Sequence, residues 1–228
     1  MSQSYQRFES VIDRIRAAAA AADRDPEEIR LLAVSKKHPL SAIRELHAAG
    51  VRSFGENYAA EALPKIEALS DLDLEWHYIG PVQSNKTRQL AEHFHWVESI
   101  DREKILRRLA NQRPEHLPPL NCCIQVRIGD EATKSGASPE LATELAAMAG
   151  GLPRLRLRGL MAIPPPSDDF DVQRGYFAQL KRLYDQLRSA GLALDTLSMG
   201  MSSDLEAAIH EGATLVRIGT ALFGPRPA

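Results

Sequence analysis

The stretch RLLAVSKKHPLSAIRELHAA (residues 30–49) carries the pattern on which the fold prediction depends. A short apolar run typical of a buried strand is followed by a segment whose apolar residues recur at helical spacing. The same strand–helix unit recurs along the chain. Strands are predicted at residues 30–35, 53–54, 75–79, 96–99, 121–127, 156–162, 196–198 and 214–218, and helices between them at 40–49, 58–69, 86–92, 102–111, 139–149, 172–190 and 204–210. Alternation of this kind indicates a parallel sheet.

The number of units favours a closed sheet. Eight strand–helix units in about 200 residues fit a (β/α)8 (TIM) barrel at the compact end of its size range. Residues 4–22 have apolar side chains at helical spacing and predict an extra N-terminal helix. We therefore predict the α/β class, with residues 1–228 forming a single-domain TIM barrel. An open doubly wound sheet is the alternative.

Composition excludes several classes of protein. The chain has 28 basic and 30 acidic residues and a formal net charge of -2, whereas a nucleic-acid-binding protein usually carries a basic excess. The longest apolar run is the six alanines of residues 17–22, so we expect no membrane span. The N-terminus lacks the apolar core of an export signal. Cys122 and Cys123 are neighbours, unsuited to a disulfide or a zinc site, and we expect a cytoplasmic protein.

Lys36 stands at the end of the first predicted strand, where a TIM barrel places its chemistry. Alternation puts Lys36 on the same face as Leu32 and Val34, so it points into the barrel mouth if Val34 faces the interior. Partial desolvation lowers the pKa of a lysine there and frees its amine for Schiff-base chemistry. The alternative is a solvated strand-end lysine, which is the interpretation we favour for Lys37.

The loops after the seventh and eighth predicted strands resemble a phosphate site. These loops usually bind phosphate in a TIM barrel, and here they contain Ser202, Ser203, Gly219 and Thr220. Hydroxyl donors, glycine and a helix starting near Asp204 favour an anion. The alternative is an ordinary helix cap formed by Ser202 or Ser203.

Other polar residues give weaker indications. Asn57 follows the second predicted strand and Arg217 lies within the eighth, where each is either buried structural polarity or a ligand contact. The seven histidines are scattered and have no partners at zinc-site spacing, so we expect no metal site.

Seven motifs together resemble a known family. They are LLAVSK (31–36), FGENYAAE (54–61), EWHYIGPVQSNK (75–86), KSG (134–136), LRGLMAIP (157–164), LSMGMSSDLEAAI (197–209) and VRIGTALFG (216–224). In this order they resemble the pyridoxal 5′-phosphate (PLP) homeostasis protein family, YggS/PROSC, which is related to the N-terminal barrel of alanine racemase. The resemblance covers nearly the whole chain and implies a fold-type III PLP barrel.

The resemblance also implies a role for individual residues. Lys36 matches the lysine that forms the covalent internal aldimine with PLP. The matching cofactor contacts are Asn57, Met201, Ser202, Ser203, Arg217, Gly219 and Thr220. The two serines, the glycine and the threonine match the phosphate cradle. Arg217 matches an arginine that faces the pyridine nitrogen, whereas Asn57 and Met201 match contacts near the ring. Lys37 departs from the family, which more often has threonine there.

The function implied is that of a carrier. Members of the family are regarded as PLP-binding proteins without robust catalytic activity. We expect this chain to buffer PLP and to deliver it transiently to apoenzymes, as a monomer that binds neither nucleic acid nor membranes. An arginine only donates hydrogen bonds, so Arg217 would leave the ring nitrogen unprotonated and the electron sink weak. Since the chain ends at Ala228, we expect no second domain that lends an acid or base. The alternatives are a fold-type III amino-acid racemase and a Schiff-base aldolase.

Overall fold

The strands of this protein form one closed parallel barrel, in a computed structural model that describes residues 3–129 and 135–225. The strands are β1 (Arg30–Val34), β2 (Ser53–Glu56), β3 (Glu75–Tyr78), β4 (Trp96–Ile100), β5 (Leu120–Gln125), β6 (Leu155–Met161), β7 (Thr196–Ser198) and β8 (Leu215–Ile218). The helices are α1 (Gln3–Ala21), α2 (Leu40–Ala48), α3 (Ala59–Ala68), α4 (Thr87–His93), α5 (Glu103–Gln112), α6 (Pro139–Gly150), α7 (Phe170–Ser189), α8 (Leu205–His210) and α9 (Thr220–Phe223). The predicted TIM barrel with an extra N-terminal helix is confirmed.

The first and last strands close the barrel. β1 pairs in parallel with β8, with Leu32 opposite Arg217 and Ala33 opposite Ile218. This pairing rules out the open doubly wound sheet. It also brings the end of β1 beside the end of β8, although the two strands are far apart in sequence.

Alternation along the strands separates an inner from an outer core. Leu32 and Val34 pack inside the barrel with Ile79 and Leu215, whereas Ala33 belongs to the larger core between strands and helices. Val34 therefore faces the interior, and Lys36 continues the same face toward the carboxyl ends of the strands. We refer to that end of the barrel as the mouth.

At the opposite end of the barrel, the Trp96 ring lies between apolar side chains and two arginines. Trp96, Cys123 and Met161 form a second interior cluster. The guanidinium carbons of Arg30 and Arg158 lie 5.1 and 4.7 Å from the centre of the Trp96 ring. These contacts combine apolar burial with cation–π attraction, and they close the interior below the mouth.

Several predicted boundaries were wrong by a few residues. β2 extends to Glu56, two residues beyond the prediction, because its carboxylate is buried against Ser35 and Lys65 and does not end the strand. α7 begins at Phe170, because the Asp169 side chain accepts the N–H groups of residues 171 and 172 and caps the helix earlier. The short helix α9 was not predicted.

Helix α1 fastens the last part of the chain to the barrel. Just after the helix, Arg24 donates hydrogen bonds of 2.8 Å to the carbonyls of Ile209 and Ala213. Arg7 donates to the Phe223 carbonyl at 2.9 Å. Arginines on and just after the extra helix thus satisfy carbonyls at or near the ends of α8 and α9.

The two cysteines form no disulfide, as predicted, and both are buried. Burial raises the pKa of the Cys122 thiol to about 12. Within the described ranges, every helix is too short or too polar to cross a membrane.

Strand β6 contains a glycine that has no space for a side chain. A Cβ at Gly159 would lie 1.6 Å from the Thr196 carbonyl oxygen on β7. We expect Gly159→Ala to lower the free energy of unfolding by at least about 2 kcal/mol, because backbone must move to admit the methyl group. Urea denaturation measures the loss.

The matched control is Gly175→Ala on the exposed face of α7, where a Cβ meets nothing within 4 Å. Alanine favours the helix by up to about 1 kcal/mol over glycine, so this variant should be neutral or more stable. Equal unfolding midpoints for both variants would contradict the close packing of β6 on β7.

Candidate functional site

A cavity of about 380 Å³ opens at the barrel mouth, within the roughly 300–1,000 Å³ range of small-molecule sites. Its lining residues are Val34, Lys36, His38, Asn57, Ile79, Ile163, Met201, Ser202, Ser203, Arg217, Gly219 and Thr220. All eight residues that the sequence singled out are among them. The fold therefore gathers residues from both ends of the chain around one small volume.

Lys36 enters the cavity from the end of β1, and it is half-buried there. Lys37, the next residue, is exposed and has a φ of 63°. This left-handed conformation turns the chain, so the two neighbouring lysines have different environments. The interpretation of Lys37 as a solvated lysine is confirmed.

The loops after β7 and β8 form the part of the wall that follows β1 around the barrel. Ser202 and Ser203 come from the first loop, and Gly219 and Thr220 begin α9 in the second. Since the first N–H groups of a helix have no partner within it, the start of α9 adds backbone donors to the hydroxyl groups. The N-terminal cap of α8 is Asp204, so the alternative in which either serine caps that helix is wrong.

Two contacts hold the loop after β7 in place. The Asp204 carboxylate accepts the Met201 N–H at 2.5 Å, which closes a tight turn around the two serines. From α1, Arg14 donates to the Ser202 carbonyl at 3.0 Å and pairs with Glu206. The N-terminal helix therefore supports the wall of the cavity.

Arg217 lies at the base of the cavity, where it is almost completely buried. Its guanidinium donates to the Ser198 hydroxyl and to the Ala162 carbonyl, both at 2.8 Å. The Ser198 hydroxyl in turn donates to the Glu98 carboxylate at 2.5 Å. Glu98 thus provides a negative charge close to a cation that burial would otherwise destabilise.

The chain of polar contacts continues down the barrel through His77. Its Nδ1 lies 2.6 Å from Glu98 and its Nε2 lies 3.0 Å from Glu75. Carboxylates only accept hydrogen bonds, so both ring nitrogens must donate, which makes the ring a cation. Burial opposes that charge, but the hydrogen bonds to the two carboxylates outweigh it and raise the pKa of His77. Burial likewise opposes ionisation of Glu75, but the hydrogen bond and positive charge of His77, together with hydrogen bonds from Trp96 and Ser53, outweigh it and lower the pKa of Glu75 to about 2. We refer to Arg217, Ser198, Glu98, His77 and Glu75 as the interior polar column.

Sequence reasoning missed four lining residues, namely Val34, His38, Ile79 and Ile163. The apolar three resemble core residues, and only their places near strand ends indicate the cavity. His38 follows Lys36 by two residues and stacks on Phe223 of α9, with ring centres 4.5 Å apart.

Two features of the site bear on its ligand. The Asn57 side-chain oxygen is buried and has no hydrogen-bond partner among the described residues, so a ligand in the cavity could donate a hydrogen bond to it.

In the described parts of the chain, no cluster of histidine, cysteine, aspartate or glutamate is able to hold a metal ion. Lys134 of the KSG motif lies outside the described residues.

Comparison with known proteins identifies the family of this chain. The family model for the alanine racemase N-terminal domain matches residues 6–227. A pyridoxal phosphate homeostasis protein from Pseudomonas aeruginosa is 59% identical over 226 residues, which cover 99% of this chain and 97% of the relative. The protein of the same name from Escherichia coli is 52% identical over 229 residues, covering 99% and 98%.

A solved structure supports the same relationship. PipY from Synechococcus elongatus, whose structure contains bound PLP, superposes with a TM-score of 0.85 at 38% sequence identity. The match covers 97% of this chain and 100% of PipY.

The interior polar column generates a prediction about pH. We expect His77→Gln to lower the free energy of unfolding by about 3–5 kcal/mol at pH 6, because Glu98 and Glu75 lose their buried cation. A histidine whose pKa is raised by folding contributes stability below its unfolded pKa of about 6.5, and loses it as pH rises through the folded value. The difference between wild type and variant should therefore shrink between pH 6 and pH 10.

Urea denaturation across this pH range measures the difference. His93→Gln, at an exposed histidine near the end of α4, is the control and should change stability little at any pH. A His77→Gln deficit that stays constant with pH would show that the buried ring carries no charge.

Proposed function

Since the chain belongs to the pyridoxal phosphate homeostasis protein family, we propose that it binds PLP reversibly at the barrel mouth through Lys36. The observation that carries the proposal is the position of Lys36, which lines the same cavity as the hydroxyl groups of the β7 and β8 loops. PLP has an aldehyde on one side of its ring and a phosphate on another. The cavity has both an amine and a set of anion donors among its lining residues.

The residues present fit this cofactor. Ser202, Ser203 and Thr220 provide hydroxyl donors for the phosphate, with Gly219 allowing the backbone to approach closely. Arg217, which is buried at the base of the cavity, would donate to the ring nitrogen of bound PLP. Asn57 has an unpartnered side-chain oxygen for a polar ring substituent, and Met201 provides an apolar contact.

The chemistry is the condensation of an amine with an aldehyde. The Lys36 nitrogen attacks the carbonyl carbon, a carbon–nitrogen double bond forms, and one water molecule leaves. Addition of water reverses the step and restores both the amine and the aldehyde. The protein therefore holds PLP covalently without consuming it, which suits buffering and release.

The surroundings of Lys36 favour a carrier over a catalyst. Arg217 donates hydrogen bonds and cannot accept a proton, so the ring nitrogen opposite stays unprotonated and stabilises a carbanion poorly. Among the described lining residues no carboxylate is present to reverse this effect. Lys36 and His38 are the titratable bases of that set, and both come from the end of β1.

An amino-acid racemase is the second candidate, favoured by the match to the alanine racemase N-terminal domain. Racemisation needs proton-transfer groups on opposite faces of the α-carbon. Lys36 and His38 enter from one side, so this chain would need a group from another molecule.

The wider role follows from the same reversible bond. Residues 1–228 act as one PLP-binding domain, in the cytoplasm and as a monomer, and the domain passes PLP to apoenzymes in transient encounters. Two buried thiols suit a reducing compartment. The open mouth leaves PLP accessible to a recipient.

We expect purified protein with PLP to show a visible absorption band that borohydride abolishes while fixing the cofactor to Lys36. Lys36→Ala should lose the band and the covalent label, because the attacking amine is gone. Lys37→Ala is the matched control and should retain both. Peptide mass spectrometry after reduction locates the label, and labelling in Lys36→Ala equal to wild type would contradict the proposal.

Catalysis is tested separately by proton exchange. In deuterated water with a panel of amino acids, we expect α-hydrogen exchange no faster than with free PLP alone, measured by NMR. Turnover of about 1 per second or faster would identify an enzyme instead of a carrier.

A further inference from the structure

Two side chains of α3 reach the backbone on both sides of Lys36. The Lys65 ammonium donates to the Ser35 carbonyl at 2.9 Å, and the Glu61 carboxylate accepts the Lys37 N–H at 2.5 Å. Lys65 and Glu61 also pair with each other at 2.7 Å. They stand one helical turn apart on α3, so one short helical segment holds both contacts.

These two contacts fix the backbone angles of Lys36. The Ser35 carbonyl belongs to the peptide group before Lys36, and the Lys37 N–H belongs to the peptide group after it. Rotation about either backbone bond of Lys36 would break one of the two hydrogen bonds. Since those rotations set the direction of the side chain, the α3 contacts determine where the Lys36 amine points.

The conformation of Lys37 needs the same support. Its φ of 63° lies in the left-handed region, which residues other than glycine and asparagine adopt at a cost in free energy. The Glu61 carboxylate binds the N–H of this residue. It thereby keeps the turn that leaves Lys37 exposed and Lys36 in the cavity.

Lys65 itself is buried and fully engaged. Its three donors are directed at Ser35, Glu61 and the Glu56 carboxylate, the last at 2.8 Å. The Ser35 hydroxyl also donates to Glu56 at 2.6 Å. A buried ion cluster of this kind contributes little net stability, because the cost of desolvation offsets the attraction between the charges. Its role in fixing the backbone on both sides of Lys36 explains its presence better than stability does.

We propose that Glu61 and Lys65 are positioning residues that select Lys36, and not the adjacent Lys37, as the amine that receives PLP. The inference rests on the proposed function and deepens it. Neither residue lines the cavity, so both act through the backbone of residues 35–37.

The test compares Glu61→Ala with Glu61→Gln. Alanine removes the acceptor of the Lys37 N–H, whereas glutamine keeps an acceptor oxygen at the same place. We expect Glu61→Ala to slow the appearance of the visible PLP band by about tenfold or more, since misplaced reacting groups lose rate steeply. Glu61→Gln should recover most of that rate. After borohydride reduction, the share of label on Lys37 should rise in Glu61→Ala and stay near the wild-type value in Glu61→Gln.

Glu103→Ala is the matched control. Glu103 lies in the first turn of α5 and pairs with Arg107 four residues later, as Glu61 pairs with Lys65. It lines no part of the cavity, so its loss should leave the rate and the site of labelling unchanged. Thermal midpoints of all variants separate a general loss of stability from a change in position.

The outcomes distinguish the two proposals. If wild type gives no label on Lys36, the proposed function fails and the positioning role fails with it. Suppose that wild type is labelled at Lys36, and that Glu61→Ala reacts at the wild-type rate and is labelled at Lys36 alone. The proposed function then stands and the positioning role is overturned. A rate loss shared equally by Glu61→Ala and Glu61→Gln, with no label moved to Lys37, also overturns it.

Discussion

The pairing of β1 with β8 is the constraint on which the site depends. It makes neighbours of two strands from opposite ends of the chain, with Leu32 opposite Arg217. The lysine after β1 and the glycine loop after β8 therefore border one opening. In an open sheet these two strands would not pair, and the amine and the anion donors would not share a cavity. The arginines of α1 reinforce this arrangement, because they bind the Ser202 carbonyl in the loop after β7 and the Phe223 carbonyl in the helix after β8.

The interior polar column shows how the barrel accommodates a buried cation at the base of its site. Positive and negative groups alternate along it, from Arg217 through Glu98 and His77 to Glu75, so the column has little net charge. Each member is joined to the next by a hydrogen bond, and Arg217 donates to both Ser198 and Ala162, which leaves the guanidinium little freedom to reorient when a ligand arrives. A fixed donor costs no rearrangement during binding, and this is the physical meaning of a preorganised site.

Strand alternation predicted the barrel, and loop chemistry together with the family resemblance predicted eight of the twelve residues that line its mouth. Alternation put Lys36 on the same face as Leu32 and Val34, because the period of a strand is local information, but it left open whether that face is the interior. The partners of His77 were beyond prediction, since they depend on how β3 pairs with β4, which local sequence does not specify. Lys65 was equally hidden. On a helix it resembles a solvated lysine, and only the packing of α3 on β1 and β2 reveals its buried contacts.

The contacts of Arg30 and Arg158 with the Trp96 ring determine how a ligand enters and leaves the barrel. Because Trp96 and the two guanidinium groups occupy the interior below the cavity, a ligand enters and leaves the cavity through the mouth. Binding and release of a ligand then use the same opening and exclude each other in time. A macromolecule bound at the mouth would receive the ligand and at the same time block the entry of another. Each encounter would then transfer one ligand molecule.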